Sequence, residues 1–292
     1  MGQKKQLSIS VLVVSRNRWR DLSQCLNSIA NQKRRPNEIV IVENNDKKTL
    51  LKIIKQLDTK IPIKYYLEKR INIAHARNTA IKNATCDVLA LTDDDCVVPK
   101  NWVNKIYETF IKNPNIAGIV GNSLNYYGKN KIAQLEQILN EAWLSQYLKL
   151  NKSTKLTSGA FINTRNFAVR RSVFEKYQVK FNPFAPYKIE DTDFGLRLYK
   201  NLDPTTEQIF YIHEVVVYHK DSTNLLDFMR RRNLSRKGKS WLIRTHHKFE
   251  QQMFIRDSSV FSTLQKKNTA VWTLFFLERQ RIRLERLFGK VT

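Results

Sequence analysis

The stretch INIAHARNTAIKNATCDVLALTDDDCVVP, residues 71–99, decides the fold. Its opening, 73–83, repeats apolar residues at helical spacing, and DVLALT, 87–92, is a short apolar run of strand type. Asp93, Asp94 and Asp95 follow the strand directly, ahead of a helix opened by Pro99. Three adjacent carboxylates repel one another, and at a buried strand end that repulsion is costly unless a cation compensates it. Mg²⁺ or Mn²⁺ prefers carboxylate oxygen, keeps waters and bridges to phosphates, so a strand-end Asp-x-Asp points to diphosphate handling. A solvated acidic turn that helps start the next helix is the other reading of the same triplet.

Outward from this stretch the first half alternates between apolar strands and amphipathic helices. The strands are 8–14 (SISVLVV), 38–42 (EIVIV) and 63–67 (IKYYL), with helices over 18–31 and 46–57 between them. This βαβα order predicts right-handed crossovers and a Rossmann-like, mostly parallel central sheet flanked by helices, with ligands at the carboxyl ends of its strands. Beyond residue 113 the alternation fades. Strands are expected at 115–124, 159–169, 209–212 and 215–219, a long helix at 131–150 and an acidic helix start at Glu190. The chain then divides into a catalytic-size domain, 1–220, and a helical, basic, amphipathic C-terminal region, 221–292.

The 292 residues are 42% hydrophobic and 11% aromatic, with 8 Gly and 7 Pro lacking any period. Such a composition excludes disordered, collagen-like and low-complexity classes. Cys25, Cys86 and Cys96 have neither disulfide-framework nor zinc spacing, which fits a reducing compartment. The charge-free stretches 113–128 and 268–277 are too short to span a bilayer. Lys4 and Lys5 before an apolar run imitate a signal peptide, but charges over 15–20 occupy the place of a cleavage site. The expectation is a cytoplasmic protein, peripheral on a membrane if it meets one. A net charge of +25 calls for a polyanionic neighbour: nucleic acid, anionic lipid or a phosphorylated substrate.

Other polar groups also fall at strand ends. Arg16 and Arg18 follow the first strand, Arg77 and Asn78 lie in the helix after the third, and Arg suits phosphate through its planar fork. Glu190, Asp191 and Asp193 open a helix, where carboxylates either cap it or, held by backbone donors beside a cleft, serve as a general base. His219 ends VVVYH and either completes a metal shell or is a hydrogen-bonded structural histidine.

Taken in order, residues 8–240 resemble family two glycosyltransferases of the GT-A fold. VLVVSRNRWRDLSQCLNSIANQ is similar to the family opening, EIVIVENND to its second-strand motif, and 71–99 to the Ala-Arg-Asn helix that leads into a metal-binding Asp-x-Asp. NFAVRRSVF and FNPFAPYKIEDTDFGLRL resemble its later Arg-Arg and Glu-Asp-x-Asp segments. The resemblance implies an inverting transfer of sugar from a UDP-, GDP- or dTDP-sugar to a glycan or lipid-linked acceptor, with Mg²⁺ or Mn²⁺ as cofactor. By the same resemblance Asp191 is the general base, with Glu190 on the acceptor side, and Asp95 and His219 hold the metal. Ser15, Arg18, Glu43, Arg77 and Asp93 then contact the donor. Two departures are Glu43, where the family usually has Asp, and Asn72, where it often has Gly.

A sugar-nucleotide pyrophosphorylase would need a Gly-rich loop after the first strand, where this chain has SRNRWR. A basic nucleic-acid-binding protein would need a recognisable helix-turn-helix, zinc finger or RNP motif, and none is found, so no specific nucleic-acid partner is expected. The segments 230–244 and 272–288 combine basic with apolar residues; they either pack on the catalytic domain or lie on an anionic membrane surface.

Overall fold

The computed structural model describes residues 6–45, 47–145 and 148–246. The segment 272–288 lies outside these residues. The first half runs β1 (Ile9–Ser15), α1 (Trp19–Ala30), β2 (Glu38–Glu43), α2 (Lys47–Gln56), β3 (Ile63–Leu67), α3 (Ile73–Asn83) and β4 (Val88–Asp93). After it come β5 (Cys96–Val97), α4 (Trp102–Lys112), β6 (Ile116–Asn125), α5 (Lys131–Leu144), β7 (Thr154–Lys155), β8 (Phe167–Arg170) and α6 (Arg171–Tyr177). The described chain closes with α7 (Glu190–Asn201), β9 (Gln208–His219) and α8 (Leu225–Thr245).

One sheet has the order β3-β2-β1-β4-β8-β6-β9-β5, with β7 added on β9. β3, β2, β1 and β4 run parallel; β8 is antiparallel to both its neighbours, and β6 runs parallel to β9. Both faces of β1, β2 and β4 are buried, which is why these strands read as continuous apolar runs, whereas β3 at the sheet edge is only partly covered. Val11, Ile39 and Ala90 face Leu22, Leu26 and Ile29 of α1, while Leu12, Val40 and Leu89 face Ala74, Ala76 and Ala80 of α3. The helix thus changes face between β3 and β4, and the strand order reverses between β1 and β4. This switch point is where doubly wound sheets open a crevice.

The second half departs from expectation in three places. Residues 159–166, expected as strand, form two 3-10 turns because Ser158 and Asn163 side chains accept the N–H groups of Ala160 and Arg165, diverting backbone from a ladder. The helix expected over 131–150 ends at Leu144, where the Ser145 hydroxyl donates to Ala142 O. The two strands expected at 209–219 are one strand that bulges: Gly121 pairs with Ile212, and Asn122 with Val216. Buried Asn166 fills the bulge. Its Nδ2 donates to Asn122 O (2.7 Å) and Val215 O (2.8 Å), and its Oδ1 accepts from Trp102 Nε1 (3.0 Å).

The C-terminal region begins as part of the packed body. Leu242 of α8 is buried, Phe228 packs with Leu135 and Leu139 of α5, and a Cβ on Gly238 would collide with Ile189. Because the bulge sets the angle at which β9 delivers His219, its satisfaction carries both stability and placement. Asn166→Ala should lower the free energy of unfolding by about 2 kcal/mol or more, since it leaves buried carbonyls and an indole N–H without partners. A urea midpoint equal to that of the parent chain would contradict this.

Candidate active site

At the switch point β1 ends at Ser15 and β4 at Asp93, and the acidic triplet turns across the strand ends. Arg18, the residue before α1, clamps two of the three acids: Nη1 donates to Asp94 Oδ1 (2.7 Å) and Nη2 to Asp95 Oδ2 (2.6 Å). Burial pushes Asp94 up to about 7, with Arg18 opposing and Asp95 adding to the rise. For Asp95 burial acts in the same sense, but the charges of His219 and Arg18 outweigh it and hold the carboxyl well below the usual range.

The end of β9 pairs with β5, setting His219 opposite Cys96, and Lys220 N–H donates to Asp95 O. His219 Nε2 stands 3.4 Å from Asp95 Oδ1, while Nδ1 is 2.6 Å from Asp221 Oδ1. Burial and Arg165 depress the imidazole, yet Asp95 and Asp221 prevail and raise it to about 9. Asp95 Oδ1 is buried and accepts no hydrogen bond. A buried carboxylate oxygen without a hydrogen bond beside an imidazole oriented by a carboxylate fits a divalent cation. The described residues contain no cluster of three or more such ligands, so the remaining positions would fall to water and phosphate oxygens.

Across the cleft lies the start of α7. Phe194, stacked on Phe181 at 4.0 Å, and Gly195, backed against Gly159, fix this helix in the core. Buried Arg77 ties it to the triplet, with Nη1 on Glu190 Oε1 (2.9 Å) and Nη2 on Asp93 Oδ1 (3.3 Å). Asp191 is half-buried, and its Oδ1 accepts Thr192 N–H. Burial, reinforced by Glu190, lifts its carboxyl to about 6, in the range of a general base. Asp193 instead is buried against Arg197 (2.6 Å) and His246 (3.0 Å), a structural pairing.

Arg18, Arg77, Asp93, Asp95, Glu190, Asp191 and His219 therefore line one cleft of about 370 Å³. Ser15 and Glu43 lie outside its lining. They are paired in register at the ends of β1 and β2, and the Glu43 carboxylate is covered, with Asn17 N–H 3.4 Å from Oε1. Three features escaped the sequence reading. Asp221 could have been noticed as an acid two residues beyond His219. Arg165, whose charge faces Asp221, Asp93 and Asp95, was hidden in a segment read as strand. The polar face of α5, with Glu136, Gln137, Asn140 and Glu141, lines the cleft.

Residues 10–178 match the family model described as glycosyl transferase family 2. Chondroitin synthase of Pasteurella multocida (strain Pm70) is 28% identical over 160 residues, covering 53% of this chain and 16% of that protein. Hyaluronan synthase of Pasteurella multocida is 25% identical over 177 residues, covering 60% and 18%. The matched region spans well under half the length of these relatives. Among solved structures, Staphylococcus aureus TarS residues 1–349 align with TM-score 0.59 at 14% identity, covering 88% of this chain and 79% of that one. The mannosyltransferase PcManGT of Pyrobaculum calidifontis, in complex with GDP-Man and Mn²⁺, aligns with TM-score 0.59 at 14% identity, covering 98% and 83%. The sheet order and the family match agree: the chain belongs to glycosyl transferase family 2 and has the GT-A fold of those enzymes.

Proposed function

We propose that this glycosyltransferase moves a sugar from a nucleotide-diphosphate sugar to an acceptor hydroxyl with inversion, and that it uses a divalent metal. The observation that carries the reading is the cleft itself, whose lining joins Asp191, a carboxyl of raised pKa, with the Asp95–His219 pair. The complexes of TarS with UDP and of PcManGT with GDP-Man and Mn²⁺ support a nucleotide-sugar donor and a divalent metal such as Mn²⁺. Relatives named chondroitin synthase and hyaluronan synthase support an acceptor in polysaccharide synthesis.

When bound by Asp95 and His219, the cation would neutralise charge on the departing diphosphate. Arg18 and Arg77 are placed to share that charge, and their carboxylate partners keep both guanidinium groups aimed at the strand ends. Asp93, tied to Arg77, stands where a donor ribose or sugar would meet the β4 tip. Asp191 takes the proton of the acceptor hydroxyl as its oxygen bonds the anomeric carbon. The bond from that carbon to the diphosphate breaks on the opposite face, and its electron pair leaves with the diphosphate. One base suffices, because no covalent sugar-enzyme intermediate intervenes.

A peripheral position on an anionic membrane is part of the same reading. No helix among the described residues is long and apolar enough to span a bilayer, and α8 leads the chain into further basic, aromatic sequence.

The base is tested by Asp191→Asn, expected to keep donor and metal binding while transfer falls about 100-fold or more. In the parent chain, kcat should be full above about pH 6 and fall as the pH drops through that value, because protonated Asp191 accepts no proton. Near-parent transfer by the variant removes Asp191 from the role. Asp95→Ala should weaken Mn²⁺-dependent binding of nucleoside diphosphate by calorimetry, and unchanged binding removes Asp95 from the metal site. Flotation with vesicles of anionic lipid should carry the full chain at low salt and release it at high salt. Equal flotation of a chain ending at residue 246 would refute a membrane role for residues 247–292.

A further inference from the structure

The loop before α7 and the face of α8 bring to the cleft a second group of cations that the transfer chemistry leaves unused. Lys188, two residues before Glu190, has left-handed backbone with φ 78°, a conformation that residues with a Cβ adopt seldom and at a cost. It is half-buried, its ammonium 5.5 Å from the Tyr187 ring centroid, and it forms no ion pair among the described residues. Its side chain lines the cleft together with Arg231 and Ser235, which lie four residues apart on one face of α8. Asp227 holds Arg231 by its Nε (2.9 Å). Burial, then the charges of Arg231 and Arg165, lower the Lys188 amine from its ordinary value, and Glu136 and Asp95 offset only part of this. A strained residue that directs an unpaired cation toward further cations is an arrangement that an anion would relieve.

We propose that Lys188, Arg231 and Ser235 form a subsite for a phosphate group of the acceptor. The proposal rests on Asp191 as the base that receives the acceptor's proton. Lys188 is three residues from that base along the chain and shares the cleft with Arg231 and Ser235 of α8, an element that contributes nothing to Asp95, His219 and Arg18, where the donor diphosphate belongs. An Arg fork, a Lys point charge and a hydroxyl donor together match the several oxygens of a phosphate. A neutral glycan would gain nothing from them. The phosphate would belong either to a soluble polyol or sugar phosphate or to a lipid diphosphate, and the two have the same head-group chemistry.

Calorimetry on the full chain at physiological salt distinguishes these sources with two probes, glycerol 3-phosphate and farnesyl diphosphate. At least one probe should bind with one-to-one stoichiometry, and the tighter of the two identifies the source. Lys188→Met and Arg231→Gln should each weaken that binding tenfold or more. Saturation with UDP or GDP and Mn²⁺ should leave the probe bound. The subsite is refuted if both variants bind the probe as tightly as the parent chain, or if the nucleoside diphosphate displaces it, which would place the probe in the donor site. Nucleoside diphosphate binding is read in the same titrations. Its absence from the parent chain would overturn the glycosyltransfer reading, while the phosphate subsite would still be decided by the two variants.

Discussion

Three neighbouring carboxylates at the tip of β4 can share a buried strand end only because fixed cations surround them. Two like charges 4 Å apart at an effective dielectric of 20 repel by about 4 kcal/mol, a large fraction of the net stability of a domain. Here Arg18 takes Asp94 and Asp95, Arg77 takes Asp93, and His219 faces Asp95, while Arg165 adds positive charge from behind. Each cation comes from a different element: the β1–α1 turn, α3, the end of β9, and the segment before β8. Charge balance at one point therefore joins both halves of the sheet.

Compensation is uneven across the triplet, and the unevenness has chemical meaning. Asp95 is held ionised by two cations, whereas Asp94 is pushed up toward neutrality, so the negative charge concentrates on the carboxylate that shares its surroundings with His219. On the opposite wall Arg77 takes Glu190 and leaves Asp191 with only the N–H of Thr192 on its Oδ1. Arg77 thus distinguishes two adjacent acids, Glu190 bound through one oxygen and Asp191 half-buried with a raised pKa. Removing its charge would affect both walls at once, because it is the link between α7 and β4.

The parallel half of the fold was legible because strands buried on both faces have no polar alternation to obscure them, and α1 and α3 show their apolar stripes plainly. The second half was less so. The chain over 159–166 is apolar enough for a strand, but Ser158 and Asn163 capture backbone N–H groups locally, and nothing in the apolar pattern signals that. The bulge in β9 is set by Asn166, forty-nine residues from Val215, a partnership that no local pattern reveals. That Asp95, Asp191 and His219 share one cleft could be read from their places just after a strand, in the first turn of a helix and at a strand end. Lys188 and the polar face of α5 could not, since a charged loop residue and a hydrophilic helix face ordinarily belong to solvent.

The net charge of +25 becomes intelligible once the cleft is mapped. Asp93, Asp94, Asp95, Glu190, Asp191 and Asp221 gather in one cleft with Arg18, Arg77, Arg165, Lys188, Arg231 and Arg232, so the basic excess comes from residues other than these. The field of that excess draws anions toward the molecule from a distance, within about a Debye length of 8 Å at physiological salt. The cleft then discriminates among them. A bare anion meets carboxylates that are already paired with Arg18 and Arg77. Under the proposed function, a diphosphate arriving with its own divalent cation brings the charge that Asp95 and His219 would receive. The attraction is general, and selection rests with the few side chains at the ends of β1, β4 and β9.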